Sequence, residues 1–204
     1  TAAVEDISDR AELAKRTRQT VQEYKRRLTE RKLDQLEDVL TDRYRRLSNK
    51  GEFYQQVEMD PETMEISIQT KTGSEKQVSQ LAAGERQIFA TAMIWALAEI
   101  SDRPLPFIID TPLGRLDEEH RENLVRHFFP EASHQVIILS TDTEITEQHY
   151  DYITEETERE YRLDYDREEG FTRVRTGYFG SDNETDAQNP SPSEAQITME
   201  KFNE

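Results

Sequence analysis

The chain has 204 residues, 34% hydrophobic and 34% charged with a net charge of −17, which predicts one medium-sized domain with an appendage. The absence of cysteine excludes a disulfide framework, a thiol nucleophile and an iron–sulfur or zinc–thiolate site within this chain. No apolar run has the length of a membrane span and no signal segment opens the chain, so we expect a cytoplasmic protein without membrane contact.

The first predicted element is a long helix. Residues 4–47 contain no Gly or Pro, are rich in Glu, Lys, Arg and Gln, and carry apolar residues largely at three- and four-residue spacing. Arg18, Lys25 and Lys32 interrupt the apolar seam, as in an imperfect antiparallel coiled coil. A single solvated helix packed on the body is the alternative. We assign residues 1–49 to a coiled-coil arm.

Charge is distributed unevenly between this arm and the rest of the chain. Residues 1–50 carry 13 basic and 10 acidic side chains, whereas the remainder has a net charge of −20. The overall negative charge argues against nucleic-acid binding, because phosphate contacts need Lys and Arg. The mildly basic arm weakens that argument.

The residues after the arm predict a mixed α/β domain. Their alternating and continuous apolar patterns indicate strands and helices in an order that implies a parallel crossover. The predicted elements are a hairpin of strands 53–59 and 64–70, a buried helix over 88–100, a buried strand over 107–109, a helix over 118–129 and a buried strand over 136–139.

The C-terminal part of the chain predicts a hairpin followed by a tail. Two strands, 161–166 and 171–178, flank a turn that contains Gly170. Residues 180–204 are rich in Ser, Asp, Asn, Pro and Glu, which cannot bury a core, so we expect disorder there. Residues 50–179 are assigned to one α/β lobe.

The stretch FIIDTPLGRLD places a carboxylate at the end of an apolar strand. This pattern is typical of a central parallel strand whose carboxyl end meets a ligand crevice. The alternative for Asp110 is ordinary turn chemistry, since Asp-Thr-Pro often starts a turn.

Three segments occur in a fixed order: LAAGERQ at 81–87 opening a helix, FIID ending at Asp110, and IILSTD ending at Asp142. Together with PLGRLD and the helical arm, they resemble the C-terminal lobe of an ABC-type ATPase head of the SMC class. The stretches QLAAGERQIFATAMIWALAEIS, PLPFIIDTPLGRLDEEHR and HFFPEASHQVIILSTDTEI further resemble the DndD family, the ATPases of DNA sulfur modification. This resemblance covers about residues 78–150.

The resemblance implies that residues 81–87 form the signature loop, which contacts the γ-phosphate of ATP held by another protomer. Its residues here are Ala82, Ala83, Gly84 and Glu85. A helix N-terminus suits this role because its N–H groups and positive dipole end attract anions. Ala82-Ala83 replaces the family's usual Ser-Gly pair and lacks a hydroxyl donor. An ordinary helix start is the alternative.

The resemblance also implies that Asp110 is the Walker B aspartate, which holds Mg²⁺ while the ion bridges phosphate oxygens. Thr111 stands where the family usually has a catalytic glutamate, and a threonine hydroxyl cannot act as a base near neutral pH. Hydrolysis is therefore slow, or Glu118 or Glu119 acts as the base. Asp117 corresponds to a residue that touches the partner protomer, and it is also a candidate helix N-cap.

The third segment departs from the family as well. Thr141 occupies the position that usually carries a histidine switch; it either donates a hydrogen bond to the γ-phosphate or is a plain turn residue. His120 and Arg121 belong to the DndD-like run but have no evident chemical role, so we expect them on an exposed helix face.

No GxxxxGK[ST] phosphate-binding loop occurs in the sequence. In the SMC class this P-loop lies in an N-terminal lobe, so we expect half of an ATPase, inactive alone. The resemblance implies ATP and Mg²⁺ as cofactors and a nucleoid-associated protein. The implied partners are DNA, the chain's own N-terminal P-loop lobe, a second copy through the head, and other phosphorothioation proteins. The alternatives are a break-repair ATPase of the SMC type and a non-hydrolysing interaction scaffold.

Overall fold

The computed structural model describes residues 2–101, 105–141, 143–168 and 170–177, with side chains at residue 10 and, within these ranges, from residue 12 onward. The chain divides into two compact units, Thr1–His149 and Tyr150–Glu204. The tail predicted at 180–204 lies outside the described residues. None of the described helices combines the length and apolarity needed to cross a membrane.

The predicted long helix is confirmed as α1, Ala2–Leu47. Its C-terminal part packs against the body, whereas the described side chains before it are largely solvent-exposed. The buried apolar residues are Leu33, Leu36, Leu40, Tyr44 and Leu47. The exposed large apolar residues are Leu13, Val21, Tyr24 and Leu28. The helix is therefore a core element at its base and a solvated arm beyond it.

The predicted hairpin is confirmed and gains a third strand. β1 (Tyr54–Met59), β2 (Ile66–Thr70) and β3 (Glu75–Gln77) form an antiparallel sheet in that order. The sheet is tied to α1 because the Val57 N–H donates to Thr41 Oγ1 at 2.9 Å and the Met59 N–H donates to Glu37 Oε1 at 2.6 Å. β3 is short and polar, so it lacks the alternation that marks a strand in sequence.

The apolar helix is α2, Ala83–Ile100, and it packs against α1. Its buried face contains Ile88, Phe89, Ala92, Trp95 and Ala96. The expectation that the whole helix is buried is wrong, because Ile94 and Leu97 are 53% and 46% exposed. The helix α2 has apolar residues on two opposite sides, and the described residues pack against only one of these sides.

β4 (Phe107–Asp110) and β5 (Val136–Leu139) pair in parallel, as predicted. The helix between them is α3, Glu118–Asn123, which continues as a π-helical turn over Leu124–Phe128. The two strands were expected to be buried, and this is wrong, because one face of the pair is half-buried and the other face is exposed. The exposed residues of that face are Ile108 at 68%, Ile137 at 41% and Leu139 at 47%.

A short helix, α4 (Glu147–Asp151), follows β5 and was not predicted. The second unit contains the predicted hairpin, β6 (Tyr161–Asp166) and β7 (Phe171–Thr176), paired antiparallel. Within this unit the Tyr150 hydroxyl donates to Glu160.

Candidate functional site

The candidate site begins where β4 ends, at the exposed Asp110. The next residue continues the strand pairing, since the Thr111 N–H donates to the Leu139 carbonyl at 2.8 Å. Thr111 then turns the chain with a φ of +47°, and Arg115 has a φ of +66°. Left-handed backbone at residues other than glycine costs about 1–3 kcal/mol each, so contacts elsewhere must stabilise this turn.

The segment predicted as a signature loop lies against this turn. A Cβ built at Gly84 would lie 3.8 Å from the Arg115 carbonyl oxygen and 3.9 Å from Leu116 Cδ2. One helical turn later, Gln87 Nε2 donates to the Pro112 carbonyl at 3.0 Å. The structure therefore brings together two motifs that are separated by more than twenty residues in sequence.

The four predicted signature residues differ in exposure. Ala82 and Ala83 are exposed, whereas the Glu85 side chain is only 12% exposed. Glu85 Oε2 accepts the Ala82 N–H at 3.0 Å, and Oε1 accepts Lys50 Nζ at 2.8 Å and the Tyr54 hydroxyl at 3.4 Å. The hydrogen bond from Lys50 lowers the pKa of Glu85 against the opposing effect of burial. Glu85 thus connects the start of α2 to the base of the arm through hydrogen bonds.

Asp117 caps α3, as its position in the sequence predicted. Its Oδ1 accepts the His120 N–H at 2.9 Å, and its Oδ2 lies 2.8 Å from His120 Nδ1. Asn49 Nδ2, just after α1, also donates to Oδ2 at 3.4 Å. Burial opposes ionisation of Asp117, but the hydrogen bonds from His120 outweigh it and lower the pKa of Asp117.

This cap corrects one expectation. His120 was predicted on an exposed helix face, but its side chain is only 3% exposed. The contact with Asp117 fixes one ring nitrogen, while Nε2 is buried without a hydrogen-bond partner among the described atoms.

The two candidate bases have different surroundings. The Glu118 side chain is 70% exposed, and its Oε1 lies 3.1 Å from Nε2 of the buried His149. The Thr146 N–H approaches His149 Nδ1 at 3.5 Å, so Nδ1 is placed as an acceptor and Nε2 as the donor to Glu118. Glu119 is exposed. Sequence reasoning missed His149, because a lone histidine in a polar run carries no distinctive signal.

Thr141 lies two residues after the end of β5, and its N–H donates to Glu144 Oε2 at 3.4 Å. Glu144 is only 6% exposed, and its Oε1 accepts the Leu113 N–H at 2.5 Å. This buried carboxylate therefore contacts the turns that follow both parallel strands. The sequence did not reveal Glu144, since it lies in a polar segment typical of an exposed loop.

No protein-family model matches the chain, and no curated protein sequence does. Solved structures do match. One comes from work on the ATP-driven dimerization and DNA-stimulated activation of SMC ATPases. It has a TM-score of 0.56 and 12% identity, and the match covers 88% of this chain and 98% of that one. The Pyrococcus yayanosii Smc head with a coiled coil and joint has a TM-score of 0.60 and 15% identity over 91% of this chain.

A third structure is the Pyrococcus furiosus Smc head with an extended coiled coil, bound to the C-terminal domain of ScpA; it has a TM-score of 0.58, 13% identity and 91% coverage of this chain. The chain has the fold of an SMC ATPase head. It spans 42% of the P. furiosus chain and 32% of the P. yayanosii chain. The elements with this fold are those of the C-terminal lobe, with the arm helix leading into a mixed α/β body.

The metal ion expected with an SMC head fold is a nucleotide-bound Mg²⁺, and the carboxylates of this site can be compared with the ligands that Mg²⁺ needs. No group of three or more His, Cys, Asp or Glu side chains in the described part of the chain is arranged to hold a metal ion by itself. Mg²⁺ at phosphate sites is commonly held by one or two carboxylates plus water and phosphate oxygens. The single exposed carboxylate of Asp110 at a strand end fits that kind of site.

Proposed function

We propose that the chain is the C-terminal half of an SMC-type ATPase that acts on DNA in the phosphorothioation system, as its resemblance to DndD implies. The supporting observation is the convergence of three separated motifs around one turn. Gln87 donates to the Pro112 carbonyl, and a Cβ at Gly84 would lie within 4 Å of Arg115 and Leu116. The ends of β4 and β5 are joined through the Thr111 N–H. Residues 1–49 are the arm, 50–179 the lobe and 180–204 a tail.

In this proposal, Asp110 would hold the Mg²⁺, which would neutralise negative charge on the ATP phosphates. The start of α2 at Ala83 and Gly84 faces the γ-phosphate of ATP bound to a second copy, where helix N–H groups favour an anion. Asp117 reaches across the same interface, and Thr141 donates to the γ-phosphate. ATP-dependent engagement of two heads then changes how the arms hold DNA.

The phosphate-binding loop is supplied by an N-terminal lobe. The exposed face of the β4–β5 sheet supports this partner, because parallel sheets are normally covered on both faces. Ile108 at 68% exposure, with Ile137 and Leu139, presents an apolar surface beside Asp110. The N-terminal lobe would cover that surface and bring its lysine to the phosphates.

The first test is ATP hydrolysis by this chain alone and together with the N-terminal lobe of the full-length protein. We expect no turnover alone and turnover in the two-lobe protein. Asp110→Asn should reduce turnover by roughly 10²-fold or more, because the metal loses its carboxylate. Asp151→Asn, an exposed acid elsewhere, is the matched control. If the chain alone hydrolyses ATP and Asp110→Asn abolishes that turnover, the proposal that this chain carries only half of the ATPase site is refuted.

The hydrolytic base is tested in the two-lobe protein by single-turnover measurements. We propose that Glu118 or Glu119 acts as the base, so alanine at the correct one should slow hydrolysis by roughly 10²–10⁴-fold while ATP still binds. Thr111→Glu should then also slow hydrolysis, since it adds a carboxylate beside Asp110. A faster Thr111→Glu variant, with both alanine variants unaffected, would show instead that the wild-type site lacks a base.

DNA binding is assigned to the arm. Lys15, Arg18 and Lys25 are exposed on α1 and make no ion pair with any described residue. Changing all three to Gln should weaken DNA binding and reduce its salt dependence, because fewer counterions are released. Changing Lys71 and Lys76 to Gln in the body is the control. Equal weakening by the control variant would place the DNA contact outside the arm.

The cellular role is tested by the phosphorothioate content of genomic DNA, measured by mass spectrometry of its nucleosides. In a host that carries the full-length gene, Asp110→Asn should lower this content. Unchanged phosphorothioate with increased sensitivity to DNA breaks would favour a break-repair ATPase. A normal content in a variant without turnover would favour a non-hydrolysing scaffold, which the two threonines at catalytic positions already suggest.

A further inference from the structure

Glu144 is a buried acid that the proposed mechanism leaves without a role. It is only 6% exposed, and its two described hydrogen bonds both come from backbone N–H groups. Burying a carboxylate is unfavourable unless it is paired or well hydrogen-bonded. A neutral side chain would avoid that cost, but it would not offer a carboxylate oxygen to each of the two N–H groups. The need for two acceptor oxygens therefore explains why a carboxylate is buried here.

The two donors belong to different turns. Leu113 lies in the turn after β4, and Thr141 lies in the turn after β5. The backbone of Glu144 reinforces the second contact, since its own N–H donates to the Thr141 carbonyl at 3.2 Å. A single side chain thus joins the turn that follows Asp110 to the backbone of the switch position.

The turn after β4 needs such support. Thr111 and Arg115 both have left-handed backbone, a conformation that residues other than glycine keep only where their surroundings enforce it. Gln87 holds the Pro112 carbonyl from one side, and Glu144 holds the adjacent Leu113 N–H from the other. The single peptide group between Pro112 and Leu113 is therefore held at its carbonyl by α2 and at its N–H by the segment after β5.

The geometry points to Glu144 as a positioning residue that clamps the turn after β4 to the turn after β5 and so sets the placement of Asp110 and Thr111 for hydrolysis. The clamp is a property of this chain alone, while its effect on hydrolysis rests on the proposed function. Glu144 touches neither nucleotide nor metal in this assignment.

The clamp is tested in the chain itself by amide hydrogen exchange. Glu144→Ala should speed exchange roughly tenfold at Leu113, with a smaller effect at Thr141, because each N–H loses its acceptor. Glu144→Gln keeps the shape but offers one oxygen, so one of the two amides should lose protection. The His120 amide, bonded to Asp117, is the internal reference, and Glu147→Gln is the exposed control.

The effect on hydrolysis is tested in the two-lobe protein. Glu144→Gln should lower kcat roughly tenfold while the KM for ATP stays unchanged, because the phosphate-binding loop lies on the other lobe. Wild-type exchange at Leu113 in a folded Glu144→Ala protein would overturn the clamp. Faster exchange with unchanged kcat would overturn the positioning role. If the wild-type two-lobe protein has no turnover, the proposed ATPase fails, and the exchange data alone decide the clamp.

Discussion

Two apolar regions of the first unit differ in how they are covered. At the base of the arm, Leu40, Tyr44 and Tyr54 are at most 1% exposed, and the rings of Tyr44 and Tyr54 lie 4.8 Å apart. In the β4–β5 sheet, by contrast, Ile108 is 68% exposed. Both regions have strongly apolar sequences. The difference shows that the chain completes one core by itself, while the sheet that carries Asp110 presents a face suited to another layer.

The largest expected effect lies in the completed core. Leu40→Ala should lower the free energy of unfolding by about 2–5 kcal/mol, because it removes buried methyl groups and leaves a cavity. Leu28→Ala on the exposed part of the same helix should change it by less than about 0.5 kcal/mol. Denaturant unfolding of both variants measures this contrast, and equal losses would show that the arm is buried in solution.

The uncovered sheet should respond in the opposite way. Ile108→Ser should leave the unfolding free energy of the chain nearly unchanged but weaken binding of the N-terminal lobe by about 1.5–3 kcal/mol, the value of burying one such side chain. Calorimetric titration of the two lobes measures the binding, with Val21→Ser on the arm as control. Unaltered binding by Ile108→Ser would mean that the N-terminal lobe does not cover this face.

A smaller effect is expected where the arm meets α2, and it depends on pH. The folded-state pKa of Glu85 is lowered by Lys50, so its contribution of about 1 kcal/mol is complete above the ordinary value of 4.5. That contribution is lost as the pH falls through the folded-state pKa. Glu85→Gln should therefore destabilise the chain at pH 7 and less at pH 3.

Unfolding of wild type, Glu85→Gln and the exposed control Glu62→Gln at both pH values gives the comparison. An equal destabilisation by Glu85→Gln at pH 7 and pH 3 would contradict a role for its charge.

The smallest effect is expected on the solvated arm. Hydrogen bonds from Arg26 and Arg27 lower the pKa of Glu23 to about 2, but all three side chains are exposed. Exposed ion pairs contribute little to stability because water and salt screen them. Glu23→Gln should leave the thermal midpoint unchanged at low and high salt. A salt-dependent loss would show that this part of the helix packs against something in solution.

Only those features of the site that depend on neighbouring residues in the chain were predictable from the sequence. Asp117 was a candidate N-cap as well as a candidate contact to a partner protomer, and it is an N-cap, because a cap depends on the residues that follow it. His120 was expected at the surface and is buried, because Asp117 and the surrounding packing hold its ring inward. Glu144 and His149 were missed, since their partners Leu113 and Glu118 are 31 residues away.

The sequence by itself determined the long helix, the hairpins, the parallel strand pair and the order of the three motifs, because periodicity and turn chemistry are local properties. Tertiary structure alone decided which apolar faces are covered, that Glu85 binds Lys50, and that Glu144 joins two turns. These outcomes depend on contacts between segments far apart in the chain. A local pattern can mark a side chain as apolar or charged, but it cannot supply the partner that side chain meets.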